Sequence, residues 1–401
     1  MLGFPDHSVS KFKKILLDEG YTIVIVDQVT PPPNPRRDIV ETCSPGTVMS
    51  SDYDRDSDNY LASIYIDSGE INDKIIHSCG LTLINVQTGR NIVSSISTQT
   101  TDDNSWVNEL NRILYSYSVV EYIIHFSPSV QLSDKDILSR FDTMMNKSYS
   151  FNNYKKDIKQ FSKISYQNDI LNKVFNLNNM LLPIEYFDWE RKSELVLSYI
   201  LMLHHVYIHK ADLINNISIP KEESESDFLK ITSDGIRQLN VVSNTNNYKG
   251  KGDSLITLLN KCKTGMGRRF FKERLLTPSI NIDVIEKSYE NIYLYSQDNF
   301  YNDIRSSLGK ISDLEKSLRN MGLEELYDTN NLFSDSVAYD FVLKTIQSII
   351  DYERIDISNH LVLFDEFREY VDYIKSIFEF DNFSSISSNN SIEKSIFKRG
   401  F

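Results

Sequence analysis

The 401-residue sequence has no surplus of positive charge: 43 Lys and Arg stand against 56 Asp and Glu, a formal charge of −13. Free-standing nucleic-acid binders draw most of their affinity from phosphate contacts and carry a basic excess. A chain this acidic can meet DNA only through a local patch, a partner, or segments outside it. Cysteine is scarce too. Cys43, Cys79 and Cys262 lie too far apart for a disulfide framework or a zinc-ligand spacing, which fits a reducing compartment. There is no long apolar run. The most apolar stretch, Leu195 to Leu203, is broken by Ser198 and followed by His204 and His205, far short of the about 20 residues that span a bilayer. It reads as a buried helix, and no membrane partner is expected. Met1 to Ser10 lacks the charged-then-apolar order of a signal peptide, so the expected location is intracellular. No internal repeat is present.

What the chain does have is enough apolar and aromatic content, 40% and 11%, to build two or three domain cores. Val9 to Glu19 has helical spacing, with Phe12, Ile15 and Leu16 on one face, and Gly20 stops it as a C-cap glycine would. Tyr21 to Val26 reads as a buried strand and Asp38 to Cys43 as a second one. Between them Pro31 to Pro35 must be extended. After a polar linker, Ser50 to Asn59, strands are expected at Tyr60–Ile66, Leu81–Val86, Ile92–Ser97 and Val119–Phe126. Turns are expected at Asp67-Ser68-Gly69 and Thr88-Gly89, and helices at Trp106–Tyr117 and Asp134–Met145. That order suggests a small α/β domain. From about Pro183 onward strands vanish from the pattern. Helices are expected at Trp189–Leu213, Asp283–Tyr295, Ile304–Asn320, Phe333–Tyr352 and Leu361–Phe380, separated by polar loops such as Lys221–Asp227.

Three ordered segments carry a family resemblance. The first is Leu2-Gly3-Phe4-Pro5-Asp6-His7-Ser8, followed by Tyr21 to Gln28 and by Ser44-Pro45-Gly46-Thr47. The second is Tyr60-Leu61-Ala62-Ser63-Ile64 with Gly80-Leu81-Thr82 through Thr88-Gly89. The third and most specific is Gly252-Asp253-Ser254-Leu255 through Thr264-Gly265-Met266-Gly267-Arg268-Arg269 to Leu276-Thr277-Pro278, with Asp313-Leu314-Glu315 beyond it. Together they resemble the MutS DNA mismatch-repair family. The Pro-rich Pro31 to Arg37 is similar to the divergent branch found in large DNA viruses, which would add a viral factory to the cytoplasm and nucleus as possible locations. Asp27 stands where the family has Glu before Gln28, and Lys316 where Arg is usual.

The resemblance implies a multidomain α/β plus all-α chain. Residues 1–50 would be the C-terminal part of the mismatch-binding domain, 51–170 an RNase H-like connector, and 171–401 an elongated helical lever and core domain that stops near the clamp helices. Its structural signature residues would be Gly3, Pro5, His7, Gln28, Pro45, Gly46, Thr264, Met266, Gly267, Arg269, Pro278, Asp313 and Glu315. Family members use ATP and Mg²⁺ at full length, but no G-x-x-x-x-G-K-[ST] occurs here, only Gly250-Lys251 and Gly309-Lys310. No cofactor and no catalysis are therefore expected of this chain. The family's mismatch-reading Phe-x-Glu would lie upstream of Gly3. Phe271-Lys272-Glu273 and Phe364-Asp365-Glu366 match its letters but fall in the helical half.

The expected partners are double-stranded DNA, met weakly or through missing segments, and a MutS-type dimer partner or other repair protein. Candidate phosphate contacts are Lys11, Lys13, Lys14, Arg36 and Arg37. A second basic group, Lys263, Arg268, Arg269 and Lys272, is expected to cap helix ends. Two rivals stand beside this reading. One is a non-catalytic module that binds another repair subunit. The other is a metal-dependent nuclease using Asp67, Asp102 and Asp103 near strand ends. A short reading frame whose ends lie in neighbouring frames is a third possibility. His205 and His209, one helical turn apart, read as packed helix residues rather than metal ligands, and Glu222 to Asp227 as a solvated loop.

Overall fold

In the first third of the chain, runs such as Tyr60-Leu61-Ala62-Ser63-Ile64-Tyr65-Ile66 are apolar at almost every position, the pattern of strands buried on both faces. The computed structural model describes residues 3–30, 35–49, 59–71, 74–98, 105–130, 148–151, 153–177, 180–223, 228–229, 231–242, 254–297, 300–323, 327–352 and 361–380. The expected helix Asp134–Met145 and the prolines at 31–33 lie outside the described residues. Two compact units emerge. The first holds Met1–Ser226, Lys230–Leu258 and Leu275–Thr277, and the second Asp227–Leu229, Leu259–Arg274 and Pro278–Phe401.

The first unit begins with helix α1 (Asp6–Asp18) and a two-stranded antiparallel ribbon, β1 (Ile23–Gln28) and β2 (Arg37–Cys43). Leu17, Cys43 and Val48 form a small core with Ile23 against it. Gly20 follows the helix with φ of 86°, a conformation glycine adopts without a Cβ penalty. The expectation of a buried first strand is corrected: Val24, Val26, Ile39 and Val40 are exposed, because the ribbon covers only one face with α1.

A six-stranded sheet follows: β3 (Tyr60–Ile71), β4 (Lys74–Asn85), β5 (Arg90–Ser97), β6 (Val119–Phe126), β7 (Ser148–Phe151) and β8 (Lys221–Glu222), in the order β7-β6-β3-β4-β5-β8. β3, β4 and β5 form an antiparallel meander, β6 runs parallel to β3, β7 parallel to β6, and β8 parallel to β5. Asp67-Ser68-Gly69 is therefore strand, not turn, since Asp67 pairs with Ser78 and Gly69 with Ile76. Strands also do not vanish after Pro183, because Lys221 and Glu222 close the β5 edge.

Helix α2 (Ser105–Ser116) covers one face of the sheet. Trp106, Val107, Leu110, Ile113 and Leu114 pack there on Ala62, Ile64, Ile66, Leu81 and Leu83. Short helices α3 (Ile158–Phe161), α4 (Ile164–Phe175) and α5 (Pro183–Tyr186) lead to α6 (Ser193–His209). Eleven of the seventeen residues of α6 are buried, and its apolar residues run all round, as in a helix enclosed on every side. It packs on β3, β4 and β5. The helix that the sequence groups with the helical half thus sits on the sheet, where its apolar circumference is satisfied. A 3-10 helix (Ala211–Ile214) and helices α7 (Ser233–Gln238) and α8 (Leu255–Leu259) follow, and Ile236 and Val241 form a small core with Leu276.

The second unit is helical: α9 (Gly265–Leu276), α10 (Ile282–Ser296), α11 (Phe300–Leu308), α12 (Leu314–Gly322), α13 (Thr329–Asp351) and α14 (Leu361–Ile377). Side chains mark three starts. Asn281 accepts from the Asp283 and Val284 N–H groups, Asp313 from Lys316 and Asp328 from Asn331, satisfying donors that a helix N-terminus leaves orphaned. The expected single helix Ile304–Asn320 is two, divided where Gly309 and Lys310 end α11. Phe300 stacks on Tyr352 with ring centroids 3.9 Å apart. Buried Asp335 accepts hydrogen bonds from Ser312, Ser317 and Tyr327, tying α12 and the segments on either side of it to α13. No described helix is long and apolar enough to cross a membrane.

The backbone of α6 lies close on the sheet at Gly80 on β4, where an added Cβ would lie 2.1 Å from the backbone oxygen of Glu194. Gly80→Ala should therefore destabilise the protein by about 2–3 kcal/mol through overpacking against rigid backbone. Gly69→Ala, with open space around its Cβ, should change stability far less. Urea unfolding of the two variants beside the parent checks this.

Candidate nucleic-acid interface and signature cluster

Polar side chains survive inside a protein only with partners, and those partners decide which candidate residues remain available for ligands. On α1, Lys11 and Lys14 are exposed. Lys13 is not free for phosphate: its Nζ donates to both carboxylate oxygens of Glu41 on β2, at 2.7 and 2.8 Å. Arg36 and Arg37 are exposed, and Arg36 makes a solvent-facing contact of 3.3 Å with Asp38. Four of the five candidate cations thus keep their charge in solvent, beside the acidic Asp27 and Asp38 on the same ribbon. Gln28 pairs with Arg37 across that ribbon, and its side chain donates to the Thr30 carbonyl.

Among the remaining signature positions of the first unit, Pro5 and Gly46 serve backbone geometry. Pro5 is the N-cap of α1 with φ of −63°, and its carbonyl accepts from the Ser8 N–H. His7 lies on α1, its side chain outside the described ones. Gly3 has open space around it, whereas a Cβ on Gly46 would meet Glu121 Oε2 at 2.9 Å and Leu61 Cβ at 3.0 Å. The Gly46 N–H donates to Glu121 at 3.0 Å, and Pro45 sits in the same turn.

In the second unit the signature residues converge. Thr264 Oγ1 accepts from the Gly267 N–H at 3.0 Å, capping α9. Arg269, whose side chain is 3% exposed, donates to both oxygens of Asp313 at 2.5 and 2.8 Å and to Glu315 at 2.6 Å. Burial alone would lower the guanidinium pKa, but the bonds to Asp313 and Glu315 raise it, so the cation is locked on. A Cβ on Gly265 would meet Asp313 Oδ2 at 2.6 Å and one on Gly267 would meet Thr264 Oγ1 at 2.8 Å. The two glycines therefore admit the carboxylate and the cap. Met266 is half-buried beside them, and the Pro278 carbonyl accepts from Leu229. Arg268 donates to the Cys262 carbonyl at 3.2 Å. This cluster joins α9 to α12. It contains no nucleophile beside a base.

The other candidates resolve individually. Asp67 accepts from its neighbour's N–H at 2.8 Å and from the Ser129 hydroxyl, while Asp102 and Asp103 lie outside the described residues. Among the described residues no group of three or more His, Cys, Asp or Glu is placed to hold a metal. Gly309 and Lys310 form the turn that ends α11. Gly250-Lys251 lies outside the described residues. Phe364 is buried under Arg368, 4.6 Å from its ring centroid, and Phe271 is half-buried on α9.

Two family models match in chain order, MutS domain I over residues 1–52 and MutS domain III over residues 234–396. The chain belongs to the MutS family. A mutS homologue of Acanthamoeba polyphaga mimivirus is 29% identical over 98% of this chain and 37% of its own length. DNA mismatch repair proteins MutS of Borreliella afzelii and Clostridium tetani are 25% and 26% identical over all of this chain and 42% and 41% of their own lengths. The chain spans about two fifths of the length of these curated relatives. The resemblance to MutS read from Gly3 to Pro278 is thereby shown, and Arg269, Asp313 and Glu315 sit inside the domain III match.

Sequence reasoning missed one site. His205 Nε2 lies 3.2 Å from Glu121 Oε1 and its Nδ1 2.7 Å from Tyr154 Oη, while His209 Nδ1 donates to the His205 carbonyl at 2.8 Å. Both ring nitrogens of His205 are engaged, so the His205–His209 pair is a packed structural one. The available signal was Glu121 and His125, four positions apart inside the mostly apolar strand Val119 to Phe126.

Removing the charge of Arg269 leaves Asp313 and Glu315 uncompensated, one of them largely buried. Arg269→Met should cost about 3–5 kcal/mol. Glu315→Gln, at a side chain 39% exposed, should cost under about 1 kcal/mol. Urea titrations followed by far-UV circular dichroism measure both, and equal costs would contradict the assignment of Arg269 and Asp313 as the core of the cluster.

Proposed function

We propose that this chain is the scaffold portion of a MutS-type mismatch-repair protein: the end of a mismatch-binding domain, a connector, and the beginning of a helical lever. The observation that carries it is the ordered match of domains I and III on either side of a six-stranded sheet. A three-strand antiparallel meander continued by two strands parallel to its first strand supports an RNase H-like connector. The packing of Ser193–His209 on that sheet supports extending the connector from residues 51–170 to about residue 226, with the lever following. The linkage of α9 to α12 through Arg269 suits a lever, which must pass force between helices without bending.

In this reading the chain is not itself an enzyme and holds no cofactor. It lies inside the cell and works with double-stranded DNA and with a MutS-type partner or another repair protein. Its part is to connect the DNA-contacting and ATP-using regions of the assembly. A second reading, an interaction module that never touches DNA, is favoured by the charge of −13 and by the capture of Lys13 by Glu41. The nuclease reading has no such support.

Two measurements test the proposal. DNA binding through Lys11, Lys14, Arg36 and Arg37 should be weak, salt-sensitive and blind to mismatches, because phosphate contacts fix position but carry no lesion information. In competition at about 0.1 M salt, a G·T-mismatch duplex and its homoduplex should bind equally. A preference of tenfold or more, about 1.4 kcal/mol, would contradict it, and no binding at all would favour the interaction module. Calorimetry with ATP and Mg²⁺ should give no heat of binding, since the sequence lacks the phosphate-cradling glycine loop. Micromolar affinity would overturn that expectation.

A further inference from the structure

Four of the chain's seven histidines, His125, His204, His205 and His209, gather at one place in the first unit, where four separate segments meet. β6 contributes Glu121 and His125, which alternate onto the face that meets α6. α6 contributes His204, His205 and His209. The segment before α3 contributes Tyr154 and, close by, Asp157. The turn after β2 reaches in with Ser44 and the Gly46 N–H, both hydrogen-bonded to the Glu121 carboxylate.

The hydrogen bonds define the protonation state in which this junction is satisfied. A carboxylate only accepts, so His205 Nε2 carries the proton given to Glu121, and Nδ1 accepts the Tyr154 hydroxyl. His209 lies tilted against His205 with ring centroids 4.3 Å apart, and the His204 ring sits 5.0 Å from that of Tyr154. His125 is fully buried, stacks on Tyr154 at 5.7 Å, and has neither ring nitrogen hydrogen-bonded. A proton there would be a bare buried charge. Glu121 is 4% exposed, and its bond to Gly46 ties the N-terminal piece to the sheet, beside the bond from Gln87 Nε2 to the Val48 carbonyl at 3.2 Å.

We infer that the Glu121–His205–Tyr154 chain, with His125, His204 and His209 packed round it, is a proton-sensitive latch. It holds the Ser44–Thr47 turn, and with it α1, β1 and β2, on the six-stranded sheet.

The directions of the pKa shifts agree. Burial pushes His125 down to about 4, with His205 adding to it. Burial also lowers His209 and His204, in the latter against the attraction of Asp157. Burial would raise Glu121, but the bonds from His205, Ser44 and Gly46 bring it below the ordinary carboxylate value. Every one of these displaced groups binds its proton more weakly in the closed form than in water, so the open form takes up protons as pH falls. The latch is therefore fully closed above the ordinary imidazole value of 6.5 and loosens as pH drops from there toward 4.

The Gly46 amide reports opening directly. Hydrogen exchange of the peptide covering residues 43–49, corrected for the intrinsic pH dependence of exchange, should lose about thirtyfold of its protection between pH 7.5 and 5.0 from His125 alone. β4 and β5 should keep theirs. In His125→Phe, which fills the same space without a titrating group, most of that acid sensitivity should vanish. Should that variant not fold, the imidazole resonances of the parent chain decide: His125 must stay neutral to below pH 5. Protection at 43–49 that is independent of pH, a loss shared equally by β4 and β5, an unchanged loss in folded His125→Phe, or a His125 titrating near 6.5 would each overturn the latch.

Discussion

The α/β unit depends on how closely one helix backbone can lie on one strand. Gly80 lets the first turn of α6 touch β4 without an intervening side chain. From that contact the rest of the helix is aimed across the sheet. Ser198 donates to the Ser63 carbonyl at 2.9 Å and is hydrogen-bonded to the Thr82 hydroxyl at 2.8 Å, Tyr199 donates to Asn91 Oδ1 at 3.0 Å, and His205 reaches Glu121. Each is a buried polar contact that only correct seating satisfies, so the helix has one register on the sheet rather than a range of greasy ones. The apolar circumference supplies the adhesion, and the four polar contacts supply the aim.

The helical unit solves the same problem with charge. Its helices leave many large side chains in solvent, among them Tyr289, Ile292 and Tyr293 on α10, so apolar burial alone specifies little. Arg269 with Asp313 and Glu315 at one point, and Asp335 with three hydroxyls at another, fix α9, α12 and α13. A planar guanidinium answered by two carboxylates is directional in a way that packing is not. That is why glycines stand at 265 and 267, where any Cβ would occupy space needed by Asp313 or Thr264.

Much of this is legible in the residues themselves. Tyr60 to Ile66 reads as a strand, Leu195 to Leu203 as a buried helix, and Gly20 as a helix stop, because each signal is local. What fails to show is what depends on distant partners. Asp67-Ser68-Gly69 has turn chemistry, yet pairing with β4 overrides it. Lys221 and Glu222 have no strand preference and are strand only because the β5 edge is open beside them. Lys13 reads as a solvent-facing cation until Glu41, 28 positions on, neutralises it. Glu121 reads as an oddity in an apolar strand, its partners lying 75 and 84 positions away. The site residues of the helical unit are visible as a motif, but nothing in the motif says that Arg269 meets Asp313.

The two-residue strand β8 has a consequence for how the chain is made. Asn91, beside the edge that β8 closes, bonds to the Ser218 carbonyl 127 positions later, and the ties from α6 to the sheet join residues 84 to 135 positions apart. A ribosome adding about 5–20 residues per second needs roughly 6–25 s to cover such a span. Throughout that interval the emerging meander β3–β4–β5 has one apolar face bare and one edge unpaired, the condition under which strands join the wrong neighbour. The nascent chain therefore passes through a window of several seconds in which it depends on a holding chaperone or on slow, non-local closure. That window ends only when α6 and β8 have left the exit tunnel.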